Sequence, residues 1–149
     1  MPEYLLAKFL HVLIAIVALG TSAGLGIVLE FYGGHPVHGA FVLRAIARIV
    51  AFFVLPGYAL MLATGLWMVD LAWPMTAGWI RAALALWGVG VVALAISLAV
   101  LHKQIRLFDT ERPASASYRR ASLLGRALGA AAGLVVVVIL ALMVFKPGA

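Results

Sequence analysis

Two ionisable side chains lie inside the first apolar stretch of the sequence, YLLAKFLHVLIAIVALG. Lys8 and His11 are three residues apart, so a helix places them on one face. Ionisable groups inside membrane segments are costly, and by default they mark a functional site. Because an imidazole is a good axial ligand for haem iron, the pattern predicts a b-type haem bound through His11.

Candidate partners for this haem come from the second and third apolar stretches. Met61 lies at a matching depth in the second stretch, and a methionine sulfur is a known second ligand of haem iron. Arg81 opens the third stretch, and its guanidinium suits bidentate contact with a carboxylate. Small residues follow both Lys8 and Arg81 at helical spacing, so we expect two facing stripes that leave a slot for a flat ligand with an anionic edge.

A purely structural interpretation of His11 stands beside the haem interpretation. A neutral histidine in the outer third of a membrane span can hydrogen-bond a carbonyl of a neighbouring helix, while a nearby lysine extends to the interface. His102 is too far from His11 in depth to share a metal with it. His35 and His38, in GGHPVHG, are more typical of a solvated loop than of a metal site.

The composition places these residues in a membrane protein. The 149 residues are 66% hydrophobic and 11% charged, whereas a soluble domain carries about 25% charged residues. Four apolar runs reach the roughly 20 residues that a transmembrane helix needs, at residues 4–29, 41–69, 79–101 and 124–145. Short Gly- and Pro-containing connections favour antiparallel neighbours, so we predict an all-α membrane protein: a single up-down, antiparallel four-helix bundle over residues 1–149.

Several function classes are excluded by residue content. The chain has no cysteine, which excludes disulfides, thiolate metal sites and covalently attached c-type haem. Its net charge of +6 comes from cations at the ends of apolar runs, where they are expected to meet lipid head groups rather than nucleic acid. Ser, His and Asp are nowhere arranged for nucleophilic catalysis, so soluble-enzyme chemistry is not expected.

The distribution of Lys and Arg predicts the orientation. Cations at the membrane ends facing the first and third connections are Arg44, Arg48, Lys103, Arg106, Arg112, Arg119, Arg120 and Arg126. Those on the opposite side are Lys8, Arg81 and Lys146. The positive-inside rule therefore predicts that the first and third connections are cytoplasmic and that both termini are outside, with Trp67, Trp73 and Trp79 as interfacial anchors on the outer side.

Glycines at four-residue spacing predict helix contacts. The first span carries Gly20 and Gly24, and the fourth carries Gly125, Gly129 and Gly133. Small residues let helix backbones approach closely in lipid. The contacts could lie within the chain, in a homodimer, or against other membrane subunits. The last possibility defines the alternative function, a cofactor-free accessory subunit of a larger membrane complex.

The second span carries two further expectations. Pro56 removes a backbone hydrogen bond in mid-span and should kink the helix.

Arg44 and Arg48 lie at the same membrane level as Glu30, so we expect one of them to pair with that carboxylate. Alternatively, the two arginines hold lipid phosphate.

The first and third spans together resemble a known family. YLLAKFLHVLIAIVALG and GWIRAALALWGVGVVALAI are similar to a bacterial family of small four-helix inner-membrane proteins of unknown function. More distantly, the chain resembles the membrane domain of the copper resistance protein D group and the HemJ-type protoporphyrinogen oxidase. These relatives share the opening KxLHxxxxxxxxG, which here comprises Lys8, Leu10, His11 and Gly20.

The resemblance implies haem b bound through His11 and, in the HemJ-type enzymes, a redox step on a porphyrin. The HemJ-type pattern has a lysine shortly after a Gly-Trp pair, whereas this chain has Arg81. An arginine stays protonated and is a poor iron ligand. The departure argues against porphyrinogen oxidation, and our leading interpretation is haem binding near the outer face in the service of electron transfer or a redox partner.

Overall fold

The computed structural model describes residues 2–111 and 115–147. Its helices are α1 (Pro2–Tyr32), α2 (Gly39–Ile49), a π-helical turn (Val50–Val54), α3 (Leu55–Ala72), α4 (Gly78–Glu111) and α5 (Ala116–Phe145). Because α2, the π-helical turn and α3 run on as one continuous helix, the described part of the chain has four helices long and apolar enough to cross a membrane. The predicted all-α architecture with four membrane spans is confirmed, and each helix extends beyond its predicted span. Arg112 of the predicted polar connection lies outside the described residues.

A π-helical turn, Val50–Val54, lies just before Pro56, and the predicted kink stays a prediction. A proline has no N–H to donate to the carbonyl four residues earlier, here that of Phe52. The helix widens over Val50–Val54 and then returns to α-helical geometry. Such single π turns relieve a local conflict in the hydrogen-bond ladder without ending the helix.

The helices pack as two pairs, α1 against α3 and α4 against α5, and α2 joins the pairs by packing on α4 and α1. We call the end with the α1–α2 and α4–α5 connections the loop end, and the opposite end the terminal end. At the loop end, Leu43, Ile46 and Ala47 of α2 form a buried cluster with Leu101 and Tyr118. A smaller cluster of Val69, Trp79 and Ile80 lies at the terminal end.

Polar contacts tie the loop end together. The Tyr118 hydroxyl donates to the carbonyl of Gly33. Arg44 contacts both carboxylate oxygens of Asp109 at 2.8 Å. A third tie joins Glu30 to the Nε of Arg126 at 2.9 Å. These ties join α1, α2, α4 and α5 where their apolar spans end.

The predicted pairing of Glu30 with Arg44 or Arg48 is wrong. The reason lies in the length of α4, which continues to Glu111 and so brings Asp109 beside Arg44. The carboxylate of Glu30 instead meets Arg126, because the start of α5 packs beside the end of α1.

The terminal end carries the aromatic residues predicted for an interface. The rings of Trp73 and Trp79 meet edge to face, with centroids 5.5 Å apart. The ammonium group of Lys146 lies 4.2 Å from the centroid of the Trp73 ring. A cation above a tryptophan face is attracted by the ring quadrupole, so this contact holds the end of α5 against the α3–α4 connection.

The predicted glycine contacts divide into two groups. A Cβ placed on Gly20, Gly24, Gly129 or Gly133 would meet no atom of the described residues within 4 Å. One placed on Gly125 would lie 2.9 Å from the side-chain amide nitrogen of Gln104 in α4. The within-chain alternative therefore holds for Gly125 and not for the other four.

Candidate functional site

His11 lies in the contact between α1 and α3. Its side chain is buried, with 9% of the residue exposed. The ring Nδ1 lies 3.0 Å from the hydroxyl oxygen of Thr64 in α3. The histidine thus joins two membrane helices through a side chain, and the structural interpretation of His11 as a helix-to-helix hydrogen bond stands.

The hydrogen bonds of Thr64 bear on the tautomer of His11. The Thr64 hydroxyl lies 2.8 Å from the carbonyl oxygen of Leu60 and 3.2 Å from that of Met61, one turn back in α3. A hydroxyl has a single proton to donate. When that proton goes to one of these carbonyls, Nδ1 of His11 donates to Thr64, and the lone pair of the neutral imidazole is on Nε2.

Gly65 lets the imidazole approach the backbone of α3. A Cβ at this position would lie 3.2 Å from Cε1 and 3.5 Å from Nδ1 of His11. A second close approach occurs two turns away, where a Cβ on Gly57 would lie 2.8 Å from the Cβ of Ala18. The glycines of α3, rather than those predicted in α1, bring the two helices together and fix the ring.

Met61 lies close to this site along α3. It is three residues before Thr64, on the side of α3 that faces α1. Gly57 and Gly65, one turn before and one turn after Met61, are residues of α3 that lie against α1. Met61 therefore lies in the same helix contact as His11, and its role as a second haem ligand stays a prediction.

The two predicted propionate partners are not gathered around His11. Lys8 is exposed on α1, one turn from His11 towards the terminal end. Arg81 is exposed on α4, as are most members of its stripe, Ala85, Val92, Ala95 and Ala99. The opposite side of α4 packs against α2 and α5, so the expected slot between facing stripes is not formed in the part of the chain that the structure describes.

Sequence reasoning did not single out Thr64, Gly65 or Trp87. Thr64 and Gly65 stand together in LATGLW, and a polar residue beside a glycine in a membrane span could have marked a helix contact. The indole Nε1 of Trp87 is buried and has no partner among the described residues. Trp87 is nine residues into α4 and His11 nine residues into α1, so both lie about 13 Å from the terminal starts of their helices.

The other histidines lie apart from this site. The rings of His35 and His38 stack in the α1–α2 connection with centroids 4.9 Å apart. Nδ1 of His102 lies 2.8 Å from the carbonyl oxygen of Leu98 within α4. Within residues 2–111 and 115–147, no group of three His, Asp or Glu side chains is placed to hold a metal ion.

Comparison with known proteins identifies the family and nothing finer. No curated protein and no solved structure matches the chain. The model of the family described as "Predicted integral membrane protein (DUF2269)" matches residues 5–147, which is nearly the whole chain. The more distant resemblance to copper resistance protein D and HemJ-type proteins stays a prediction. The four apolar helices and this match together show that the chain belongs to the DUF2269 family of integral membrane proteins, whose function is unknown.

Proposed function

We propose that this membrane protein binds a b-type haem through Nε2 of His11 and serves electron transfer. The supporting observation is the hydrogen bond between Nδ1 of His11 and Thr64, whose hydroxyl also lies 2.8 Å from the Leu60 carbonyl oxygen. In the tautomer with the proton on Nδ1, Nε2 is left to bind iron. Haem-ligating and metal-ligating histidines commonly donate their second nitrogen in this way, and the donated bond fixes the ring and raises its basicity.

Among the described residues, one feature supports such a group, the imidazole of His11. In the tautomer with the proton on Nδ1, Nε2 carries the lone pair that a metal ion needs. His11 is the single protein ligand in this proposal, because Met61 lies in the same packed contact.

The chain's own residues have distinct roles in this proposal. Thr64 accepts a hydrogen bond from Nδ1–H, and Gly65 leaves space for the ring against α3. Lys8 offers a cation one turn towards the membrane surface, whereas Arg81 is on the exposed face of α4. A bound haem would supply one-electron chemistry whose potential depends on its axial ligands and on the burial of the iron.

Optical spectroscopy tests this proposal. The protein is expressed with haem supplied, purified, and measured oxidised and after reduction with dithionite. We expect a Soret band and a sharpened alpha band in the wild-type protein and in His102→Ala, and their loss in His11→Ala. A colourless wild-type preparation contradicts haem binding, whereas a full spectrum in His11→Ala removes only the assignment of His11.

A second candidate is a cofactor-free subunit that docks to other membrane helices. The supporting observation is the open space around Gly20, Gly24, Gly129 and Gly133, which leaves small-residue faces on α1 and α5 uncovered in this chain. Small residues are enriched where membrane helices meet. Native mass spectrometry from mild detergent would show a dimer or a heteromeric complex that Gly129→Leu weakens, and a strictly monomeric mass would contradict this candidate.

We place the protein in a bacterial inner membrane with both termini in the periplasm, because cations are concentrated at the loop end. The absence of native cysteine makes single-cysteine labelling direct. In intact cells, an impermeant maleimide should label Met75→Cys in the α3–α4 connection. It should label Ser117→Cys, at the start of α5, only after the membrane is opened. The reverse pattern would invert the topology.

A further inference from the structure

We propose that a groove at the loop end binds the phosphodiester head group of an anionic phospholipid. The groove lies between the end of α1, the α1–α2 connection and the first turns of α5, and its volume is about 460 Å³. Its polar lining includes Glu30, His35, Arg119, Ser122 and Arg126. This site is separate from His11 and does not depend on the proposed haem.

The walls of the groove are held in place by contacts across it. The Tyr118 hydroxyl donates to the carbonyl of Gly33, which fixes the start of α5 against the end of α1. The ion pair of Glu30 with Arg126 spans the same two helices. Because both contacts bridge the groove, they hold its two walls in a fixed arrangement.

The two arginines give the groove an excess of positive charge. Glu30 contacts Arg126 through Nε, so the terminal nitrogens of that guanidinium remain available to a second anion. Arg119 lies two turns away on α5, and among the described residues its side chain makes no ion pair. Two cations and one carboxylate leave a net charge of +1 along the lining, and guanidinium groups suit the paired oxygens of a phosphate.

His35 adds a neutral donor to this lining. Its Nδ1 accepts from the backbone N–H groups of Val37 and His38, each at 3.3 Å. A ring nitrogen that accepts carries no proton, so the proton of the neutral ring is on Nε2, which can donate. With the hydroxyl of Ser122, the groove presents donors from α5 and from the loop, as an oxygen-rich anion requires.

The apolar rim favours a lipid over a soluble phosphate. Phe31 at the end of α1 is 74% exposed, and Leu123 on α5 is 61% exposed. Both line the groove beside its polar residues. A head group held by Arg119 and Arg126 would place its acyl chains along these two side chains, where the apolar spans begin.

Native mass spectrometry with defined lipids tests this site, using the full-length protein in detergent. The probes are phosphatidylglycerol, phosphatidylcholine and inorganic phosphate. We expect phosphatidylglycerol to be retained preferentially, and Arg119→Gln to weaken its binding about fivefold, the effect of one cation near an anionic surface. Arg120→Gln is the matched control, because it removes the same charge from the next residue, which does not line the groove.

Three results would overturn the proposal. Equal retention of phosphatidylcholine would remove the anionic specificity. An equal loss in Arg119→Gln and Arg120→Gln would show general surface charge in place of a defined groove. Displacement of phosphatidylglycerol by millimolar inorganic phosphate would assign the groove to a soluble anion.

Circular dichroism of both variants checks that the helices are intact. An additional variant, Ser122→Ala, should weaken binding less than Arg119→Gln does.

Discussion

The α1–α3 contact and the loop end hold helices together by different physical means. In the α1–α3 contact, Gly57 and Gly65 let backbones approach, and one hydrogen bond joins His11 to Thr64. At the loop end, a buried apolar cluster is surrounded by bonds from long side chains such as Tyr118 and Arg44.

The difference follows from the surroundings of each region. Lipid offers no hydrophobic driving force between helices, so close van der Waals packing and a few polar bonds must hold α1 to α3. Water reaches the loop end, where apolar burial contributes to packing and exposed ion pairs contribute little. Substitutions in the two regions should therefore differ in cost in a defined order.

The largest effect on stability is expected at Gly57 in the α1–α3 contact. Replacing it with alanine puts a Cβ 2.8 Å from that of Ala18 and forces the two helices apart. Overpacking of this kind costs about 2 kcal/mol. Unfolding in mixed micelles with increasing SDS, followed by circular dichroism, measures the loss. Gly24→Ala, whose Cβ meets open space, should be within about 0.5 kcal/mol of wild type, and equal losses would contradict the α1–α3 geometry.

The next effect is expected from Tyr118→Phe at the loop end. The substitution removes the hydroxyl that donates to the Gly33 carbonyl while keeping the ring against Phe108. Loss of one buried hydrogen bond costs about 1 kcal/mol. The same SDS titration applies, with Tyr32→Phe as the control because that tyrosine is 51% exposed. If Tyr118→Phe were as stable as Tyr32→Phe, the loop end would depend on its apolar cluster alone.

A smaller stability effect is expected from Thr64→Val, which keeps the shape of the side chain but removes the bond to His11. Interhelical hydrogen bonds in membranes contribute about 0.6 kcal/mol on average. If the proposed haem is bound, Thr64→Val should also shift its reduction potential, because Nδ1 loses the acceptor that fixes the ring. Thr21→Val is the matched control in α1. An unchanged potential in Thr64→Val would show that Thr64 does not act through His11.

The smallest effect is expected from Arg44→Gln, although one guanidinium nitrogen of Arg44 lies 2.8 Å from both carboxylate oxygens of Asp109. Both side chains are nearly half exposed, so solvent screens the pair. The loss should be about 0.5 kcal/mol or less and should decrease as salt is added. Arg48→Gln provides the control on the next turn of α2. A loss greater than that of Gly57→Ala would reverse the order expected for the two regions.

The four spans could be predicted from the sequence because apolar run length alone determines them. The ends of the helices could not, since α4 continues through polar residues to Glu111, and hydropathy does not register that extension. The same extension moved Asp109 beside Arg44 and made the predicted pairing with Glu30 wrong. Partner choice among surface charges depends on helix length and packing, which residue types do not specify.

Part of the candidate site was also predictable. His11 was singled out because an ionisable group in a membrane span is costly, and the structure buries it in a helix contact. Thr64 and Gly65 were missed, because their role depends on which face of α3 meets α1. The stripe beginning at Arg81 was placed on the wrong face, since a helix of small apolar residues has several faces that could pack equally well.

The ratio of haem to protein is the most direct test of the central proposal. A pyridine haemochrome assay on purified wild-type protein, expressed with haem supplied, should give close to one b-type haem per chain. His11→Ala should give almost none, with His102→Ala unchanged. A ratio near zero in the wild-type protein, in a preparation with intact helices by circular dichroism, would contradict the proposal.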